Sequence, residues 1–305
     1  MPTPRVSIRL AKLPAVCALA FLSACASNPS QSAVRVAPWT ALAAPQANFT
    51  QAQLALIERH CPLGRPKLDP SFGFGPTRFV IRDGYVLQHS SRDKIAIWVC
   101  EGIRPQQLAG ALTRANAFKP DPTLPVGERS ELADYKGSGY DRGHLAPAGD
   151  QTVDTLLKRE TFYLSNMAPQ EPQMNQQIWA ALEAKMRDWL GTRGGGYIVT
   201  GPLFYDPEEE SPTTADGLIS FEEIGDGKVA VPTHFYKIAV SKTGQRWDAI
   251  AFVMENRAYP RPFDFGPFRR AIDWVEARAG IDFMPDLDSA EEPRVEGTVP
   301  SLWTP

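Results

Sequence analysis

Tyr140-Asp141-Arg142-Gly143-His144 is followed by Phe162-Tyr163-Leu164-Ser165-Asn166-Met167-Ala168-Pro169-Gln170, then by Asn175-Gln176 and Trp179 to Glu183. An arginine beside a glycine-hinged histidine puts a fixed positive charge and a titratable base on one side of a phosphate, a combination suited to phosphodiester hydrolysis. From Asn175 onward, Ile178, Leu182, Met186 and Trp189 recur at helical spacing and Gly191 closes the run, so an amphipathic helix is expected. Asn175 at its start offers a neutral hard oxygen, and the helix dipole there tolerates a nearby anion. On an α-helix Glu183 lies about 12 Å along the axis from Asn175 and about 80° around it, too far to share an ion's inner shell comfortably.

Singly, these residues have ordinary readings: Asp141-Arg142-Gly143 as a turn with a salt bridge, Asn175 as a helix cap, Glu183 as a solvated helix face. Their order and spacing change the weighing. The series resembles the DNA/RNA non-specific endonucleases of the ββα-metal superfamily, in the Asp-Arg-Gly-His signature and in the block Ser165-Asn166, Pro169-Gln170, Asn175-Gln176 and Trp179…Leu182-Glu183. The likeness continues through Val199-Thr200-Gly201-Pro202, Val231-Pro232-Thr233 with Lys237, Ala251-Phe252-Val253 with Asn256, and Trp274…Glu276…Gly280. It spans residues 60–287.

The resemblance implies a Mg²⁺-dependent endonuclease, with Mn²⁺ as a possible substitute, that cuts DNA and RNA internally and leaves 5′-phosphates. It casts His144 as the general base and Asn175 as the one direct protein ligand of the metal, the remaining positions going to water and phosphate. Glu183 reaches the metal through water, Arg142 steadies the phosphate or the leaving side, and Asn166 positions the site. A second functional arginine lies upstream of the signature, where Arg114 is the best match. The alternative of another class is an exported nucleic-acid binding or uptake lipoprotein with the same fold and little turnover. The complete set of His144, Asn175 and Glu183 weighs against it. A small-molecule phosphodiesterase stays open, because pocket width is invisible in sequence. His60, His89 and His234 lack such company and read as structural.

The first 24 residues read as a targeting segment: Arg5, Arg9 and Lys12, an apolar run from Leu13 to Leu22, then small residues. Leu22-Ser23-Ala24-Cys25 resembles a bacterial lipoprotein box, whose cysteine becomes the lipid-modified N-terminus. The plainer alternative is a signal peptide cut after Ala24 or Ala26. Either places the protein outside the cytoplasm, and a lipid on Cys25 would anchor it in the bacterial envelope, at the periplasmic or outer-membrane face. Ala26 and Ser27, with no Asp beside the cysteine, resemble lipoproteins sent to an outer membrane. Residues 25–50, rich in Ala, Ser, Pro and Gln, read as a flexible tether with a reach of roughly 25 to 30 Å.

Loss of residues 1–24 removes three cations and no acid, moving the formal charge of the 305-residue chain from −3 to −6. A bulk basic field for nucleic acid is absent, so any polyanion site is a local cluster. Of the four cysteines, Cys17 leaves with the signal and Cys25 carries lipid, and in an oxidising compartment Cys61 and Cys100 most simply pair. Such a bridge would contribute roughly 4 kcal/mol in the chain-entropy model.

Composition is globular, with 43% hydrophobic and 22% charged residues, and 28 prolines favour a loop-rich α+β protein over a helical bundle. Strands are expected at Phe79–Gln88, turning at Asp83-Gly84, and at Ile95–Val99, Tyr197–Thr200, Val229–Val240 and Trp247–Met254. Helices are expected at Ala52–Arg59, from Asn175 to Gly191, and from Phe268 to Gly280. Hairpin-like spacing favours a mainly antiparallel central sheet flanked by helices, in one domain over 51–287. The acidic, proline-containing segment 288–305 reads as loose.

Overall fold

The computed structural model describes residues 5–10, 48–113, 117–211 and 213–304. Arg5–Leu10 (β1) and Gln51–His60 (α1) precede the short strand Lys67–Leu68 (β2). Thr77–Ile81 (β3), Val86–Ser90 (β4) and Ala96–Ile103 (β5) form a meander. Short helices Pro105–Leu108 (α2) and Leu132–Tyr135 (α3) lead to Asp141–His144 (β6), Thr155–Glu160 (α4) and Met167–Gln170 (β7). One helical run follows, a π-turn over Met174–Trp179 continued by the α-helix Ala180–Thr192 (α5). Gly196–Leu203 (β8), Leu218–Ile224 (β9), Val229–Ala230 (β10), His234–Thr243 (β11) and Arg246–Glu255 (β12) come next. Arg269–Arg270 (β13), Ile272–Ala279 (α6), Ile281–Asp282 (β14) and Glu292–Val295 (α7) complete the order.

Seven strands make one antiparallel sheet in the order β13-β12-β11-β8-β5-β4-β3. Strand alternation sends side chains to two separate cores. On one face Ile198, Phe235, Ala239, Ile250 and Phe252 pack against Leu182, Met186 and Trp189 of α5. On the other, Tyr197, Val199, Tyr236, Ile238 and Val253 meet Ile272, Val275 and Ala279 of α6. The β6–β7 pair, in register from Asp141↔Gln170 to His144↔Met167, belongs to the α5 face and completes a strand-strand-helix unit. The α+β expectation therefore holds.

Several expectations are adjusted. The hairpin at Asp83-Gly84 forms, with Ile81 opposite Val86. The strand expected over Val229–Val240 divides, because Pro232 has no N–H to donate and the chain changes sheets there. The last long helix begins at Ile272, not Phe268, since Arg269–Arg270 join β12, and Gly280 ends it at φ 67°. An added Cβ at Gly280 would lie 2.2 Å from the Phe72 ring, so glycine serves the close approach as well as the left-handed cap.

Along segment 288–304 most residues are exposed, while Val295, Glu296 and Trp303 are buried. Val295 is buried on the α6 face and Trp303 on the α5 face, where its indole meets Trp189 at 6.1 Å. Arg294 donates to the Trp247 carbonyl (2.7 Å) and pairs with Asp248 on β12, so the segment crosses the β12 edge of the sheet.

Cys25 and nearly all of the leader and tether lie outside the described residues. Within the leader, β1 pairs antiparallel with β9, and Arg9 ion-pairs with Asp93 and stacks on Phe204 at 3.8 Å. Removal of residues 1–24 would leave β9 to present that edge. No helix among the described residues is long and apolar enough to cross a membrane. Cys61 and Cys100 are buried together but carry free thiols, so the expected disulfide is not formed. Burial and a hydrogen bond with Cys61 push the Cys100 thiol well above its ordinary range.

Candidate active site

The signature strand β6 is shaped by its neighbour. A Cβ at Gly143 would lie 1.9 Å from Gln170 Oε1, so only glycine lets the buried Gln170 side chain cross the strand there. His144, at the end of β6, is buried, its ring edge-on to Phe162 at 4.9 Å and tilted against Phe118 at 5.7 Å. These rings fix its plane.

Asn166 locks the next turn. Its Oδ1 accepts from Ala146 N (2.9 Å), while its Nδ2 donates to the carbonyls of Ala146 and Thr161 (2.9 Å each). The side chain is fully buried and clamps the backbone two residues beyond His144. Ser165 beside it donates to Asp121 (2.5 Å), whose carboxylate also receives Arg82.

Asn175 sits in the π-turn, and the α-helical separation of Asn175 from Glu183 therefore does not apply. Bonds from i to i+5 widen the turn, and such turns are frequent at functional sites. Glu171 Oε2 accepts from Met174 N (2.6 Å) and anchors the entry to the turn. Asn256 holds the same junction, accepting from Glu171 N and donating to the carbonyls of Pro169 and Pro232.

Asp141 joins β6 to this turn. Its Oδ2 accepts from Asn175 Nδ2 (2.7 Å) and from Gln176 Nε2 (2.8 Å). A carboxylate only accepts, so the Asn175 amide must turn its nitrogen to Asp141 and its Oδ1 the other way. One neutral oxygen so oriented, with a carboxylate at Glu183 on the same helical run, is a donor set that fits a hard divalent ion keeping most of its waters.

Arg142 is half-buried, stacked by Phe118 at 5.3 Å and Tyr135 at 5.6 Å. Among the described residues no carboxylate pairs with it, so its charge is left for an anionic ligand. Arg114 lies outside the described residues. Its flank Leu112 accepts from the buried Lys158 Nζ (2.7 Å), and the other flank, Phe118, is the residue against His144.

Sequence reasoning missed what lies beneath. Arg187, one helical turn after Glu183, binds buried Asp150 at 2.6 Å, and Lys237, fully buried, donates to the Leu145 carbonyl (3.2 Å) and Thr200 (2.8 Å). Burial, then Asp150's charge, pushes buried Glu101 well above the carboxylate range. Burial also raises Asp150, against the opposing pull of Arg187. The available signal was a charged residue inside an apolar strand, Glu101 in Ala96–Ile103 and Lys237 in Phe235–Val240.

The other histidines are structural, as expected. Gly102 N donates to His60 Nδ1 (2.9 Å), which leaves Nε2 to donate to the Asp83 carbonyl, and burial lowers this ring to about 4. His89 Nε2 meets the Glu128 carbonyl at 2.9 Å, and burial likewise takes His234 to about 4.

Residues 70–290 match the DNA/RNA non-specific endonuclease family. Mitochondrial endonuclease G of Homo sapiens is 36% identical over 210 residues, covering 68% of this chain and 69% of that protein. Nuclease C1 of Cunninghamella echinulata var. echinulata is 38% identical over 217 residues, 69% of this chain and 84% of its own. A crystal structure of an EndoG/EndoGI complex aligns with a TM-score of 0.68 at 32% identity, over 79% of this chain and 95% of that one. Family membership implies a divalent metal. The chain belongs to the DNA/RNA non-specific endonuclease family and is a nuclease of ββα-metal architecture.

Proposed function

We propose that the chain is a Mg²⁺-dependent endonuclease that cleaves phosphodiester bonds in both DNA and RNA, leaves 5′-phosphates, and uses His144 as its base. The observation that carries this reading is the Asp141 bridge, which orients the Asn175 oxygen from the strand that ends in His144. His144 takes the proton of the attacking water at a ring nitrogen, its plane held by Phe162 and Phe118. Arg142 binds the scissile phosphate, and Arg114 is proposed as the second phosphate-binding cation. Glu183 orients water from the next turns of the helix, and Asn166 keeps the His144 turn in place. A cation held by Asn175, Mg²⁺ or Mn²⁺ in its stead, would offset phosphate charge as the leaving oxygen departs. Recognition through phosphates gives low sequence preference and strong salt dependence.

Purified chain is to be incubated with plasmid DNA and with RNA, in Mg²⁺ or in chelator. Internal cleavage of both, abolished by chelator, is expected. His144→Ala should lose about 10² to 10⁴ in kcat while keeping its melting temperature. Near-normal cleavage by that folded variant would remove His144 as the base.

The leader and Cys25 support a second part of the proposal, export with a lipid anchor in a bacterial envelope. Cys25→Ser should abolish labelling by a fatty-acid analogue and either release activity to the soluble fraction or leave uncleaved precursor. Unlabelled, soluble wild-type protein with an N-terminus beyond Cys25 would instead identify an ordinary secretory signal.

A further inference from the structure

Across the sheet from the active site, three carboxylates converge. Asp273 and Glu276 stand one turn apart on α6, and Glu296 follows α7 in the 288–304 segment. One oxygen from each lies within 4.8 Å of the others, with Asp273 exposed, Glu276 half-buried and Glu296 buried. Asp273 N donates to the Glu296 carbonyl (3.2 Å), so the two chain segments touch.

Two features distinguish this group from an ordinary acidic surface. Glu296 is only 6% exposed and contributes an oxygen to the group, yet its Oε1 has no hydrogen-bond partner among the described residues. An unmatched buried carboxylate oxygen is costly. Among the described residues no cation pairs with it either. Burial raises Glu296 to about 8, and Glu276, Asp273, Asp282 and Glu292 all raise it further. Glu276 is raised to about 7 by burial first, and the Phe283 N–H it accepts at 2.7 Å pulls the other way.

We propose that Asp273, Glu276 and Glu296 form a second cation site, structural in purpose, that takes a divalent ion of calcium's class and pins the 288–305 segment to α6. Oxygens that share a Ca²⁺ at 2.3 to 2.6 Å are at most about 5 Å apart, which the observed spacing satisfies. Three carboxylates suit Ca²⁺ better than Mg²⁺, which dehydrates reluctantly and usually takes one or two. The exposed Asp273 gives the ion a way in. The two metal positions thus differ in chemistry: a neutral amide oxygen on the α5 face, a cluster of carboxylates on the α6 face.

The test is thermal unfolding of the full chain with chelator, with Ca²⁺ and with Mg²⁺, a readout independent of nuclease activity. Saturating Ca²⁺ should raise the melting temperature by roughly 5 °C, more than Mg²⁺ does. The same shift is expected in Asn175→Ala and should vanish in the double variant Asp273→Asn/Glu296→Gln, whose near-isosteric amides remove repulsion and keep the fold. Terbium emission excited through the neighbouring Trp274 gives a second readout, displaced by Ca²⁺ and lost with Glu296→Gln alone. Absence of both a Ca²⁺ shift and terbium emission, or a shift that survives in the double variant, overturns the proposal.

Discussion

At the scale of single residues, the site depends on side chains that fix the orientation of others. Asp141 is the clearest case, because the direction of the Asn175 amide follows from its acceptor-only carboxylate. Asp141→Asn can present an N–H to the same amide, so Asn175 is free to rotate its oxygen inward. The variant should fold normally, yet need about tenfold more Mg²⁺ for half-maximal cleavage, the scale expected when a group that orients a ligand is lost. A metal titration of activity measures this, and an unchanged midpoint would mean that Asp141 does not hold the amide. The signature itself was legible in sequence because its residue types are distinctive: a glycine that the Gln170 crossing requires, the histidine proposed as the base, and an arginine with no carboxylate partner among the described residues. Asp141's part was not legible, since its partner lies 34 residues away and only the fold brings them together.

Elements were legible where periodicity is strong. The hairpin at Asp83-Gly84, α5 and the β11–β12 pair all follow from hydrophobic pattern and turn residues. The π-turn was not, because Met174–Trp179 carries the same apolar spacing as an α-helix and differs only in its backbone bonds. The buried anchors within 288–304, Val295 and Trp303 among them, were hidden by the composition of an otherwise polar and mostly exposed stretch. The contact between α6 and this stretch has a pH signature. Folded Glu276 and Glu296 hold protons up to about 7 and about 8, against 4.5 for the ordinary group. The native state therefore binds more protons than the unfolded one across that window, so stability falls as pH rises from about 4.5 to about 8. In chelator, wild-type melting temperature should decline over this range, and Glu296→Gln should decline less. Parallel curves for the two proteins would show that Glu296 does not titrate as described.

For the whole molecule, the sheet is a partition with the candidate active site on one side and the proposed cation site on the other, and segment 288–304 touches both faces. Trp303 packs on Trp189 of the helix that carries Glu183 and Arg187, with Arg193 stacked over its ring at 4.1 Å. Trp303→Ala should cost about 3 kcal/mol, lowering the melting temperature by roughly 5 to 10 °C, with kcat falling as α5 loosens. A melting temperature within about 1 °C of wild type would mean the indole adds little. The course of this segment along β12 bears on solubility as well. β13 covers only Ala251 and Phe252, and Arg294 occupies the Trp247 carbonyl that would otherwise face outward. Unpaired strand edges recruit strands from other molecules. The segment that fastens the two faces thus also denies a neighbouring copy a template, guarding the enzyme against edge-to-edge aggregation.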